Sequence, residues 1–297
     1  MATLDRIQRV ESLPRGAGKF SSPDYEEAGG GSAATAAVTI ARLGGEARFV
    51  GRVGEDAAGT AIREELRAFG VDVRPLAIVT GSRSPIGHVT VDANGERQVT
   101  RYRGLRLDVP PEWISAADLA GASGVLVDMD WWFGANQVVQ MARAAGIPSV
   151  LDAGTNADPR SAGLLQLVDH VVFSQAGLAL LSGTDNPQHG LQWARANTRP
   201  SCRIGVTLGA QGSVWLVDGA PRHVPALAVK VVDTFGAGDV FHGAYALALA
   251  EGLDVVGAAQ FATSAAALKC LRPSARKGLP SRAEVDAMLP PRGRGKT

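Results

Sequence analysis

The chain lacks several features that would have placed it in a class at once. Cysteine occurs only at Cys202 and Cys270, both in apolar patterns, among 297 residues. A disulfide-stapled scaffold is therefore excluded, and both thiols are expected to be reduced and buried. Charge of one sign is also missing: Lys and Arg total 30 against 29 Asp and Glu, a formal net charge of +1. No electrostatic footprint for nucleic acid or an anionic membrane follows from that balance. No apolar run has the length of a membrane span, and Met1-Ala2-Thr3-Leu4-Asp5-Arg6 does not read as a signal peptide, so a cytoplasmic location is expected. The histidines (His88, His170, His189, His223, His242) show no metal-site spacing, so no protein-only metal centre is expected.

The most informative stretch is Val231-Val232-Asp233-Thr234-Phe235-Gly236-Ala237-Gly238-Asp239. The apolar residues 230–232 read as a strand end, and Val240–Glu251 as a helix. Between them, Gly236, Ala237 and Gly238 carry almost no side chain, so backbone N–H groups can close on a ligand oxygen at a helix N-terminus, where the dipole also favours negative charge. A phosphate fits there. Asp239, in the first turn, can take a proton from a hydroxyl as phosphate is transferred. The alternative reading is a tight turn followed by an acidic first-turn residue.

The order D-T-x-G-A-G-D followed by Val240-Phe241-His242-Gly243-Ala244 resembles the C-terminal signature of the ribokinase-like (PfkB) carbohydrate kinases. Upstream, Gly29-Gly30-Gly31-Ser32-Ala33-Ala34-Thr35-Ala36 leads into Ala41–Gly45 and then Phe49-Val50-Gly51-Arg52-Val53-Gly54-Glu55-Asp56-Ala57-Ala58-Gly59, similar to that family's N-terminal signature. The two occur in the family's order and at about its spacing, and the resemblance runs from Asp5 to Leu289. It implies an ATP-dependent sugar kinase.

Length alone suggests about two domains of roughly 150 residues, but the alternation of strand and helix signals points to one large α/β domain. Strand-like runs lie at Arg48–Val53, Gly124–Asp128, Pro148–Asp152, His170–Phe173 and Arg203–Leu208. Helical patterns lie at Ser32–Leu43, Ala57–Phe69, Ala135–Ala145, Leu191–Asn197 and Val255–Lys269. Short apolar strands between amphipathic helices predict a doubly wound, mostly parallel sheet covered on both faces. Gly44-Gly45 is placed to end the first helix. Gly87–Asp92 and Arg97–Tyr102 flank Asn94-Gly95, a hairpin signal, and predict antiparallel strands. With Val10–Glu27 they match the position of the family's small β lid, which closes over the sugar and often mediates dimerisation. The division expected is residues 1–9, 29–85 and 104–290 as the ribokinase-like α/β domain, 10–28 and 86–103 as the lid, and 291–297 as a disordered tail.

The resemblance implies a role for each matching residue. Asp239 would be the general base, while Gly236, Ala237 and Gly238 would stabilise the transferring phosphoryl group. Asp5, Gly30, Gly31 and Thr35 would face the sugar. Thr207, Gly209, Gly212 and Thr234 would border the nucleotide, and Mg²⁺ would arrive bound to ATP. The loop Arg272–Gly278 lies where many members bind a monovalent cation, so K⁺ is a candidate cofactor, although Gly278 replaces the usual small hydroxyl residue. A homodimer through the lid is the expected assembly.

Departures from the family bear on substrate. Ser32 and Thr35 stand where many members have Asn, and Ser174-Gln175-Ala176-Gly177 replaces an N-x-x-E motif and lacks its carboxylate. Only four residues precede Asp5, so either the natural chain begins upstream or the first central strand is unusually short. Within the family the motifs most resemble those of sulfofructose kinases, and Lys19 matches a lid lysine of that branch. Yet Asp130 falls where a sulfonate-gripping Arg is expected, and Arg101 where a polar Asn is. The readings left open are a neutral or phosphorylated ketose, 6-deoxy-6-sulfofructose, a nucleoside, and a non-catalytic sensor of sugar or nucleotide. Trp131-Trp132-Phe133 reads as a sealed core edge or a sugar platform, His242 as packing near the site or catalytic, and Lys269 as a helix-end residue or a nucleotide contact.

Overall fold

The computed structural model describes residues 1–94, 96–155, 159–273 and 276–289. Gly95 of the hairpin signal, Ser274 and Ala275 of the Arg272–Gly278 loop and the tail at 291–297 lie outside the described residues. In chain order the elements are β1 (Thr3–Arg9), β2 (Asp24–Gly30), α1 (Ser32–Arg42), β3 (Gly51–Gly54), α2 (Ala57–Ala68), β4 (Leu76–Val79), β5 (Ile86–Val91) and β6 (Arg97–Tyr102). They continue with β7 (Val125–Asp128), α3 (Trp132–Ala144), β8 (Ser149–Ala153), β9 (His170–Ser174), α4 (Gln175–Ser182) and α5 (Pro187–Ala196). The last are β10 (Arg203–Thr207), β11 (Ser213–Val217), β12 (Ala220–Val224), α6 (Ala237–Ala250), α7 (Val255–Cys270) and α8 (Arg282–Met288).

The large sheet has the order β12-β11-β10-β9-β8-β7, parallel from β7 to β10 and antiparallel at β11 and β12. This order agrees with the mostly parallel α/β sheet that the alternation of strand and helix signals predicts. The smaller sheet, β2-β1-β5-β6, pairs β1 with β2 and β5 with β6 antiparallel, and β1 with β5 parallel. The antiparallel pairing expected of the hairpin strands is therefore present. β1 runs directly into this smaller sheet. β3 and β4 form a separate parallel pair. A cleft of about 700 Å³ is lined by Phe49 and Gly51 of the β3 segment, Leu126 and Val127 of β7, Ala135 of α3 and Leu247 of α6.

Packing of α6 positions the site. Its apolar residues Val240, Phe241, Ala244 and Tyr245 are buried with Phe261, Ala262 and Ala265 of α7 and the Ala34, Ala37 and Val38 face of α1. Small residues permit close approach: a Cβ on Gly243 would meet the Ala36 carbonyl oxygen at 2.5 Å. That contact brings the start of α1, after the glycines at 29–31, beside the start of α6. Asp56 caps α2, accepting from the Gly59 N–H at 2.8 Å, and also accepts from Ser84 Oγ at 2.6 Å, which ties α2 to the chain entering β5.

Two local expectations are corrected. The segment at 230–232 is not a strand: Val231 and Val232 are exposed, and the Val232 N–H donates to the Cys270 carbonyl at 2.7 Å, so the chain is held to the end of α7 instead of to a sheet. Cys202 is buried, with its thiol pushed up to about 11 by burial, whereas Cys270 at the end of α7 is only half-buried.

Candidate active site

Gly236 adopts a left-handed conformation (φ 77°) and precedes α6, which turns the chain sharply and presents the first helical N–H groups outward. The Ala237 N–H closes the turn on the Thr234 carbonyl at 3.2 Å. Above Gly238 the space is open: a Cβ there would meet nothing within 4 Å. Asp239 follows in the first turn. Burial, then repulsion from Asp152, pushes its carboxyl up to about 7, with His242 and Arg276 opposing the rise. A carboxyl poised near neutrality is suited to accept a proton at physiological pH.

Other carboxylates explain that shift. Asp152, at the end of β8, is pushed up to about 8 by burial and by the negative charge of Asp128 and Asp130. Asp128, at the end of β7, is stabilised as the anion: against burial stand the amine of Met1, the Asp130 N–H at 3.1 Å and Ser32 Oγ at 3.0 Å. Asp130 moves the other way, raised by burial and by Asp128 while the Arg101 guanidinium, 3.6 Å away, opposes. These carboxylates converge at the C-terminal ends of parallel strands, where open α/β sheets place their ligands.

The smaller sheet supplies the facing wall. Asp5 on β1 lies in one cross-strand row with Ala28, Gly87 and Arg101. Its carboxylate accepts from Thr3 Oγ1 at 2.8 Å and is raised mainly by burial. The glycines around it are obligatory: a Cβ on Gly30 would fall 1.9 Å from Asp5 Oδ2, and one on Gly87 2.4 Å from Oδ1. Gly31 (φ 89°) abuts the Met1 carbonyl. Thr35 is buried in α1, and its Oγ1 accepts from Arg276 Nε at 3.3 Å. Lys19 is exposed in the connection between β1 and β2.

Among the residues expected to border a nucleotide, Thr207 ends β10 and its Oγ1 donates to the Phe173 carbonyl at 3.3 Å. Gly209 and Gly212 adopt positive φ (57° and 85°) in the turn to β11, and a Cβ on Gly212 would lie 2.1 Å from the Val224 carbonyl oxygen. Thr234 Oγ1 accepts from Arg97 Nη1 at 3.1 Å, and the Arg97 guanidinium lies over Phe235 at 5.5 Å, so β6 reaches the glycine turn as well as Asp130. Ser174 caps α4 through the Gly177 N–H at 3.0 Å, which gives the segment lacking the family carboxylate a local role.

Several contributors were not singled out from the sequence. Arg276 is buried, donates to the Gly30 carbonyl at 2.8 Å and Glu65 Oε2 at 3.0 Å, and lies within electrostatic reach of both Asp5 and Asp239. Gly87 had only a strand signal, and Asp152 and Asp128 only strand-end positions; lone residues 85 or more positions from Asp239 carry no spacing pattern. His242 is buried, with Nδ1 2.7 Å from the Gly238 carbonyl and Nε2 3.5 Å from Asp152, and burial lowers its basicity. Trp131 is buried, stacks on Trp113 with centroids 5.7 Å apart and donates through Nε1 to the Val109 carbonyl, so it seals a core edge; Trp132 and Phe133 are half-buried.

The arrangement agrees with known proteins. The model of the pfkB family of carbohydrate kinases matches residues 1–282. Ribokinase of Bacillus subtilis is 28% identical over 293 residues, covering 97% of this chain and 96% of its own. A fructokinase of Klebsiella pneumoniae is 31% identical over 251 residues, 78% of each chain. The structure of Arabidopsis thaliana ribokinase complexed with ribose and ATP superposes with a TM-score of 0.83 at 28% identity, covering 96% of this chain and 95% of that one.

Proposed function

The chain belongs to the pfkB family of carbohydrate kinases, and on that premise we propose that it transfers the γ-phosphoryl group of ATP to a hydroxyl of a neutral pentose or ketose, with Asp239 as general base. The observation that carries the reading is Asp239 itself: a carboxyl raised to about 7, in the first turn of α6, beside an open glycine turn and facing the Asp5 wall. Asp5, Gly30, Gly31 and Thr35 would receive the sugar, and Gly87 keeps Asp5 accessible by leaving its carboxylate room. Asp239 takes the hydroxyl proton as the oxygen attacks phosphorus, and the Gly236, Ala237 and Gly238 amides receive the charge on the transferring group. The four-stranded sheet would act as a lid that excludes water, which otherwise competes as acceptor.

The nucleotide would lie along Thr207, Gly209, Gly212 and Thr234. Among the described residues no three acidic, His or Cys side chains converge to hold a metal. Mg²⁺ would arrive with the ATP phosphates and neutralise their charge, with Asp152 and Asp239 as the acidic residues that would receive it. A crowded acidic cluster whose members raise one another's protonation suits such a cation.

Asp130 favours a neutral sugar over a sulfonated or phosphorylated one, because it lies against Arg101, the cation that would otherwise meet the anion. ADP release measured with Mg–ATP against ribose, fructose, 6-deoxy-6-sulfofructose, hexose phosphates and nucleosides tests the reading. Turnover on a neutral sugar supports it; turnover only on an anionic ketose or a nucleoside replaces the substrate, and silence throughout favours a sensor. We further infer a cytoplasmic homodimer through the smaller sheet, on which Tyr25, Val99 and Tyr102 are exposed, and a measured solution mass of one chain would exclude the dimer.

A further inference from the structure

We propose that Lys269 is a built-in monovalent cation: its ammonium holds the turn at residues 233–239 in the shape that receives phosphate, in place of bound K⁺. The inference rests on the reading of that turn as the phosphate cradle. Lys269 lies in the last turn of α7 and has no exposed surface. Lysine is almost never fully buried unless paired. Its Nζ donates to the Asp233 carbonyl at 2.9 Å and lies 3.2 Å from Asp233 Oδ2. The second carboxylate oxygen, Oδ1, accepts from the Phe235 N–H at 2.7 Å. The Val232 and Asp233 amides both donate to the Cys270 carbonyl, at 2.7 and 3.2 Å. One positive charge is thus ligated by a main-chain carbonyl and a carboxylate at the root of the turn whose tip carries Gly236 to Asp239. Carbonyl oxygens are the donors that a dehydrated K⁺ uses. Here these two already hold an ammonium that cannot dissociate.

A positioning role of this kind differs from packing in what it predicts about ions. Wild-type turnover and Mg–ATP affinity measured by calorimetry should be the same in K⁺ and in tetramethylammonium. Lys269→Ala, which removes the ammonium and leaves its oxygen ligands, should lose about 100-fold in kcat with sugar KM little changed, as expected when reacting groups are misplaced. Ammonium, methylammonium or K⁺ should restore much of the loss, and tetramethylammonium should not. Lys269→Met nearly keeps the length without the charge and should show the same defect if the Ala variant fails to fold. Stimulation of the wild type by K⁺, full activity of a folded Lys269 variant, or a loss that no small cation restores would each overturn the proposal. Mg–ATP affinity needs no sugar: in Lys269→Ala it should fall and recover with ammonium or K⁺ but not with tetramethylammonium, which still decides the role of Lys269 if every sugar fails and the functional reading falls.

Discussion

The two walls of the site differ in how they are built. The glycine-turn wall rests on α6 and α7, whose apolar faces are buried against α1; there His242 Nδ1 bonds the Gly238 carbonyl and Lys269 pairs with Asp233. The facing wall is a four-stranded sheet whose last strand, β6, is exposed at every residue, and its polar groups meet the core through Arg97 and Arg101. Burial makes the first wall sensitive to single atoms. Exposure leaves the second free to change, so substitutions there are expected to act on substrate preference and those in the first wall on rate.

The largest break in this comparison comes from Asp239→Asn, which keeps volume and removes the base. A fall in kcat of about 10³-fold, within the range for a lost general base, is expected with Mg–ATP affinity nearly unchanged. Substantial turnover in the variant would remove Asp239 from that role. The wild-type profile of kcat/KM should rise with pH and level off above about 7, since the active form is the carboxylate and burial raises its pKa to that value. Stability should run the opposite way. Asp239 and Asp152 hold protons in the folded state up to about 7 and about 8, whereas the unfolded chain releases them near the ordinary value of 3.8. Stability is therefore lost as pH rises through that window. Asp152→Asn should flatten the fall of Tm between those limits, and an unchanged slope would mean that Asp152 is not protonated there.

A second prediction concerns the seam between the walls. Gly87→Ala places a methyl 2.4 Å from Asp5 Oδ1, and strand backbone leaves little room for escape. The carboxylate must rotate, so sugar KM should rise about tenfold or more, the cost of about 1.4 kcal/mol in binding. Mg–ATP affinity should be spared; its loss would mean that the sheet governs both ligands.

How much of this was legible in the sequence follows the same division. The elements around α1, α2, α6 and α7 could be read because small residues, caps and apolar periodicity lie close together along the chain, as in Gly29–Ala36 and Asp233–Ala244. Arg276 and Asp152 could not, because their roles arise only when distant segments meet: Arg276 reaches Gly30 and Glu65 across more than 200 residues. Lys269 read as a helix end because helix position predicts solvent, and only tertiary packing buries it under Asp233. The strand expected at 230–232 failed for a related reason. Its β-branched pattern was real, but the Cys270 carbonyl, left without an intrahelical partner, took the amides that a neighbouring strand would have used.

The exposed wall carries the subtler test. Arg101→Ala should leave turnover on a neutral sugar within a few-fold, because Arg101, 3.6 Å from Asp130, carries a charge that a neutral sugar does not need. Asp130→Asn should act on selectivity more than on rate: removing the negative charge removes the repulsion an anion would meet there, so turnover on a phosphorylated or sulfonated ketose should rise relative to the neutral one. Initial rates on both substrates for the two single variants and the double variant separate the effects, since coupling through the pair makes the double variant depart from the product of the singles. Additive effects would mean that Asp130 does not restrain Arg101. The smallest effect is expected at Lys19, which is exposed in the β1–β2 connection. Lys19→Ala should change KM for a neutral sugar hardly at all, but should lower any activity gained on an anion by Asp130→Asn, because a flexible cation at the lid edge acts only on a charge that the pocket has first admitted.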